Sequence, residues 1–411
     1  MTQARMSERR TSIISAFLVA IGPVSMALYT PAMPELVHAF ASTESAIKLT
    51  LSFYFAGFAL SQLVSGTMSD VLGRRKTTLI FMSVYLVGSM MAAFAPTVEV
   101  LLAGRLVQGI GVSVGTTVSR AIVRDQFTGS EAARIMNMVG MMLAIGPAVS
   151  PTLGGFALGL FGWQSIFFLM VGFALSACGI VYFCMAETTT PDPAKGHIRP
   201  VLSAYRAIAT SPRFLSATLV IAGALGALYG QATMLPFILI DRVGLTPTQF
   251  GVGMLMQSGF FFLGTVAVRL LMRRLTANGI VIAGLCCIGT ASILIVLASH
   301  VLAQPTFLSV MGPVGLYAFG IAFIMPYMMT AAMEPFPHIA GSASAAMGFI
   351  QMGSGFLAGV IAAAIGMPLF AFGIIIPSMG LMAVLAYAWY RAVCGREPVL
   401  AGATSTGKPS E

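Results

Sequence analysis

The sequence predicts an all-α integral membrane protein: twelve transmembrane helices in two six-helix bundles related by a pseudo-two-fold axis. Three observations carry this. Of 411 residues only 9% are charged and 57% are hydrophobic, against roughly 25% and 45–50% in an ordinary soluble domain. Ile135 to Ala186 and Leu275 to Met333 contain no Asp, Glu, Lys or Arg. Each exceeds the ~20 residues that one span needs, so each holds at least two. With the spans placed as below, 19 of the 22 cations fall on the side of both termini. Only Lys48 and Arg242 lie on the far side and Arg105 inside. Lys and Arg are retained in the cytoplasm, so both termini are expected there, and a wrong helix count would scramble the bias.

The first apolar run, Ile13 to about Met33, follows Arg5, Arg9 and Arg10. It is too long for a signal-peptide core and lacks a good cleavage site, so it reads as a retained helix. Pro23 and Pro31 lie within it, and each frees a carbonyl one turn back that other groups must satisfy. Helix 2 spans about Ala46 to Met68, helix 3 about Thr77 to Ala95, and helix 4 about Val100 to Val123. Helices 5 and 6 cover about Ile135 to Leu160 and Ser165 to Ala186. The polar, proline-bearing stretch at 191–212 separates the first bundle (1–190) from the second (213–394) as a cytoplasmic linker. Six further spans fit 214–239, 249–272, 279–299, 306–331, 339–364 and 367–391, and 395–411 has a disordered composition.

The net charge of +9 does not point to nucleic acid, because the cations sit at span ends and not on one face. The five cysteines, Cys178, Cys184, Cys286, Cys287 and Cys394, lie in or beside apolar runs and read as small core residues. No Walker loop, zinc-ligand spacing or nucleophile–base pattern is present, so neither an enzyme nor a cofactor is expected.

The stretch around which the chain is organised joins helices 2 and 3. Gly66, Asp70, Gly73, Arg74, Arg75 and Lys76 form G-x-x-x-D-x-x-G-R-[KR]-[KR]. An acid, a helix-breaking glycine and three cations meet in a tight turn, where a small shift of packing makes or breaks pairs. This pattern resembles the signature turn of the major facilitator superfamily. A weaker echo, Gly264 with Arg273 and Arg274, lies 198 positions on, with Val268 for the acid and Leu271 for the second glycine. A parallel repeat of six helices fits it.

Arg105 is the cation deep in a span, and such residues usually mark a pathway. Snorkelling to the outer surface or binding helix-end carbonyls is the competing reading. Arg105, Gln108, Gly109 and Gly111 resemble the helix-4 motif that the same superfamily uses in proton coupling. In helix 5, Gly146-Pro147, Ser150-Pro151 and Gly154-Gly155 stack breakers and small residues that let helices approach closely. They resemble the antiporter motif of the superfamily's drug exporters, with Ser150 in place of a glycine.

With Arg120, Arg124-Asp125, Gly22-Pro23, Pro31 to Pro34 and Glu334-Pro335-Phe336, the chain resembles the Bcr/CflA group of drug exporters along nearly its whole length. The resemblance implies a monomer in a bacterial inner membrane, exporting small hydrophobic compounds in exchange for protons, with the proton gradient as its energy source. One departure is Ala27, where that group usually has an Asp. No Asp or Glu lies near the middle of any span. The coupling candidates are therefore Arg105, Gln108, Asp125 and Glu35, with caps and gate salt bridges the competing reading for the two acids. Depth along the helices nominates Met26, Tyr29, Tyr54, Phe58, Tyr229, Gln231, Gln257, Phe261, Tyr317 and Gln351 for a substrate cavity, and packing competes for each. A single-metabolite exporter, a proton-independent facilitator and a non-transporting membrane sensor remain as alternatives.

Overall fold

The computed structural model describes residues 6–192, 198–302 and 304–394. The predicted tail at 395–411 and part of the linker lie outside the described residues. Fourteen α-helices follow one another: α1 (Glu8–Tyr29), α2 (Met33–Ala39), α3 (Glu44–Leu72), α4 (Arg74–Ala93), α5 (Val98–Gln126), α6 (Gly129–Phe161), α7 (Gln164–Cys184), α8 (Ile198–Ala209), α9 (Pro212–Ala232), α10 (Pro247–Leu271), α11 (Ala277–His300), α12 (Phe307–Met333), α13 (Ala340–Ile365) and α14 (Pro368–Cys394). Twelve spans are long and apolar enough to cross a membrane, α1 and α2 together making the first. No strand occurs among the described residues.

Local chemistry explains the boundaries. Ser7 and Thr43 cap α1 and α3 by accepting the N–H groups of Arg10 and Ala46. Thr246 and Thr306 close reciprocal capping boxes at α10 and α12. Gly162 and Gly366 end α6 and α13 with φ of 76° and 77°, a conformation that glycine adopts without a Cβ clash. The first span is not one helix. Pro31 has no N–H to give Ala27 O, and a 3-10 turn, Thr30–Ala32, replaces the ladder there. The Thr30 N–H and its Oγ1 (2.8 Å) both turn back to Ala27 O, so the freed carbonyl is satisfied within the chain.

Two segments differ from the sequence-based expectation. The linker contains a helix, α8, whose Tyr205 hydroxyl donates to Leu63 O at 2.7 Å. Its proline sits in the first turn, where a missing N–H is tolerated. The seventh span ends at Ala232, and Phe237–Arg242 forms a separate π-helical turn. The buried apolar side chains fall into two large clusters. One is drawn from residues 6–185 with Ala232, Phe237 and Met352 added, and the other from residues 208–387.

Candidate functional site: the turn, the buried arginine and the two seams

Between α3 and α4 the backbone reverses at Gly73, with φ of 93°. A Cβ there would lie 2.5 Å from Glu187 Oε2, so both conformation and space demand glycine. The Glu187 carboxylate accepts the N–H groups of Arg74 (2.7 Å) and Arg75 (3.1 Å). It thereby caps the positive end of α4, whose first donors have no partner within the helix. Arg74 is 4% exposed and reaches Asp70 Oδ1 at 2.5 Å, Asp125 Oδ2 at 3.0 Å and Ser69 Oγ at 2.5 Å. One guanidinium thus ties α3, α4 and α5 together. Arg75 turns outward, donating to Tyr182 O at 2.6 Å with its guanidinium 5.4 Å from that ring. A Cβ on Gly66 would meet nothing within 4 Å, so its place in the pattern has no steric cause in this conformation. Glu187 was missed in the sequence, although it is the first acid after the charge-free stretch from Ile135.

Arg105 is fully enclosed, and its guanidinium carbon lies 4.4 Å from the ring centres of both Tyr29 and Tyr54. It neither snorkels nor binds carbonyls. Nη1 donates to Gln108 Oε1 at 2.8 Å, and Gln108 Nε2 passes the chain on to Ser89 Oγ at 2.8 Å. Arg105 Nε and Nη2 have no hydrogen-bond partner. Tyr29 bonds Thr50 at 2.6 Å, Tyr54 donates to Gly22 O at 2.7 Å, and Tyr85 pairs with Ser25 at 2.5 Å. The last two residues belong to this polar core and were missed, because isolated Ser and Tyr carry no sequence signal in an apolar run.

The remaining coupling and cavity candidates are scattered. Asp125 belongs to the turn. Glu35 is exposed at the opposite end, where it accepts the Trp163 backbone N–H. Met26 and Phe58 are buried in the first bundle's core. Tyr317 is buried in the second and donates to Gly223 O at 3.0 Å. Gln231 Nε2 pairs with Gln257 Oε1 at 3.0 Å, Phe261 is half-buried, and buried Gln351 leaves Nε2 without a partner. Tyr229 reaches across the bundles, its ring 5.5 Å from Phe55. Two surface grooves, of about 370 and 540 Å³, lie elsewhere and include none of these residues.

The bundles meet along two seams of different extent. α3 and α13 touch from end to end. Ser45 Oγ donates to Ala363 O at 2.7 Å near one end, Gly359 and Gly348 face Ser52 and Gln62 farther along, and near the turn Arg120 of α5 reaches Ser344 Oγ of α13 at 2.6 Å. α6 and α10 touch only in the half away from the turn. There Thr152 Oγ1 donates to Gly251 O at 3.0 Å and Thr248 Oγ1 to Gly155 O at 3.3 Å. Cβ atoms at Gly154, Gly155 and Gly251 would lie 2.3–2.4 Å from the carbonyls of Leu28, Pro247 and Pro151. Gly146 faces Val24, and Pro147 and Pro151 lie within α6. Toward the turn the same faces lose each other: Ala133, Asn137, Gly140 and Ala144 on α6, and Leu255, Phe262, Thr265 and Arg269 on α10, are exposed.

Lys48 lies on the far side, away from the turn, as its place in the chain predicts, yet it is fully buried. Its Nζ bonds Glu44 Oε2 at 3.2 Å and Gly366 O at 3.4 Å, and lies 5.1 Å from the Phe237 ring centre. A long stem lets the ammonium reach across to the second bundle instead of out to water. Beside it, burial and then the neighbouring Glu44 hold the Asp241 carboxyl above its ordinary pKa.

Comparisons with known proteins agree with this architecture. A family model described as Major Facilitator Superfamily matches residues 15–359. Multidrug resistance protein D of Escherichia coli is 25% identical over 389 residues, 91% of this chain and 94% of that protein. A chloramphenicol resistance protein of Pseudomonas aeruginosa is 28% identical over 81% of this chain and 80% of its own length. Among solved structures, a D-xylose–proton symporter superposes with a TM-score of 0.70 at 14% identity, covering 93% and 97% of the two chains. The human organic anion transporter MFSD10 gives 0.67 at 18% identity over 94% and 100%; these two likenesses show the fold. With twelve spans and a family match over most of its length, the chain belongs to the Major Facilitator Superfamily, and it is a membrane transporter and not an enzyme.

Proposed function

We propose that the protein exports small hydrophobic drug-like compounds across a bacterial inner membrane by alternating access, in exchange for protons. The observation that carries the alternating-access reading is the unequal pair of seams. α6 and α10 are joined at one end and parted at the other, which is the geometry of two bundles rocked about a midplane site. Placing the basic turn in the cytoplasm makes the described conformation closed outward. Arg74 with Asp70 and Asp125 then lies on the inner side, where it holds the ends of α3, α4 and α5 as one unit while the bundles rock. The relatives named for drug resistance support the substrate class and the direction. Expression in an efflux-deficient bacterium is expected to raise tolerance to several hydrophobic drugs. No change across a broad panel, with the protein present in the membrane, would remove the proposal.

A second reading is favoured by one observation. Ala27 is buried and apolar, and among the described residues no carboxylate lies deep in a span, so a proton carrier is not evident. On that reading the protein is a facilitator. Flux in proteoliposomes with and without an imposed pH gradient separates the two.

A further inference from the structure

The charges that the described residues place inside the membrane are of one sign. Arg105 is enclosed in the first bundle, with Nε and Nη2 unpartnered and only Nη1 held, by Gln108. The rings of Tyr29 and Tyr54 lie over it at 4.4 Å. Their faces stabilise a cation but carry no net charge to cancel it. Nearer the turn, Arg120 reaches the second bundle through a neutral partner, Ser344 Oγ. The carboxylates among the described residues stand at span ends or outside them. Asp70 and Asp125 bind Arg74, Glu334 binds Arg213, and Glu44 binds Lys48. Glu8 pairs with Arg134 at the start of the chain's first span. Within the bundle, then, a positive potential stands uncompensated. In a medium of low dielectric such a field attracts anions and repels cations strongly.

The free edge of Arg105 also has a shape. Nε and Nη2 form the parallel fork that guanidinium uses to hold both oxygens of a carboxylate. Its rings suit an aromatic body. Tyr54 covers the guanidinium and begins a row of rings that reaches the second bundle, its ring lying 6.0 Å from Phe55, which in turn lies 5.5 Å from Tyr229. The Tyr54 hydroxyl is held by Gly22 O and by the Ser25 side chain, so admitting a ligand to the guanidinium from that side requires this one side chain to move.

From this we infer that the transport path selects aromatic carboxylates over lipophilic cations of the same shape, with Arg105 setting the sign and its Nε–Nη2 edge receiving the carboxylate. The inference rests on the exporter reading for its substrate path and sharpens its substrate class. It predicts a preference opposite to that of a pocket lined by a buried acid.

Three probes of matched bulk test it: naphthylacetate, naphthylacetamide and naphthylethylammonium. Binding to the purified full chain in detergent is read from the shift in melting temperature against probe concentration. Naphthylacetate is expected to bind about tenfold more tightly than the ammonium probe, with the amide between. Arg105→Lys keeps the order, and Arg105→Gln brings the three within about threefold of one another. Equal or tighter binding of the ammonium probe, binding of none of the three, or an unchanged ratio in a folded Arg105→Gln protein would overturn the inference. Should Arg105→Gln fail to fold, the wild-type series and Arg105→Lys still decide. Binding needs no transport, so a protein that confers no drug tolerance still answers the charge question. An exporter that prefers cations leaves the exporter reading standing alone.

Discussion

The two basic turns, one per bundle, hold corresponding places in the chain and differ in both backbone and chemistry, a single residue joining α3 to α4 and five residues joining α10 to α11. In the first, Gly73 reverses the chain, Glu187 caps α4, and Arg74 is clamped between Asp70 and Asp125. In the second, Val268 takes the acid's place and is packed with Ile280 and Phe323. Leu271 replaces the glycine, and Arg273 and Arg274 are exposed. A duplicated bundle needs the turn for topology twice but needs a charge lock once. Ionic pairing sits where three helices converge, while its counterpart is an apolar corner with a solvated basic rim.

Substitutions in matched positions break or sharpen this contrast. Arg74→Ala leaves two carboxylates facing each other beside a capped helix start. It is expected to destabilise the protein by about 3 kcal/mol and to reduce transport at least about tenfold, whereas Arg273→Ala stays within about 0.5 kcal/mol. Melting temperature and initial flux, measured together, check both. Gly73→Ala is next, at about 1–3 kcal/mol from positive-φ strain and the Glu187 contact. Leu271→Ala at the matched position removes only a half-buried side chain, and an equal loss would refute the idea that one turn alone is conformationally constrained. Gly251→Ala drives a Cβ into Pro151 O and is expected to part the seam at the end away from the turn. A cysteine at Thr152 should then label with a water-soluble maleimide several-fold faster than in the parent. Faster labelling near Ser344 instead would place the pivot elsewhere.

The smallest expected effect is pH-linked. Burial and Glu44 raise the Asp241 carboxyl above 3.8, and His38 and Arg242 oppose this. A group whose pKa is higher in the closed, folded form binds its proton more tightly there. Its contribution is therefore fully present in acid and is lost as pH rises through that raised value. Asp241→Asn should raise the melting temperature at neutral pH by no more than about 2 °C, and the difference should vanish in acid. A gap that persists or widens in acid would show that Asp241 is not held up by its neighbours.

The sequence disclosed the fold almost completely, because a bilayer imposes length, apolarity and charge placement that can be counted. The turn was legible for the same reason: Asp70, Gly73 and Arg74 are local in the chain. What stayed hidden is long-range. Nothing near Glu187 reveals that it caps α4, and nothing near Tyr29 or Tyr54 announces that both roof Arg105. Of the ten cavity candidates chosen by depth, Met26, Tyr29, Tyr54, Phe58 and Tyr317 lie in the buried apolar clusters, because depth along a helix does not tell which face is turned inward. Charge counting places Lys48 on the far side but cannot show its burial, because its reach across to Gly366 depends on how the bundles dock.

The α6–α10 seam has a mechanical consequence. Bare main chain meets at Gly155 and Gly251, and the Thr152 and Thr248 hydroxyls add hydrogen bonds to the facing carbonyls. Helical carbonyls keep their own partners when neighbours leave, and close approach of small residues is held by contact alone. Two such surfaces can slide apart without unlocking rotamers or stripping solvent from charges. On the alternating-access proposal the joint is a latch with a low threshold on one edge of the molecule, and the side-chain-rich α3–α13 edge is its hinge pin.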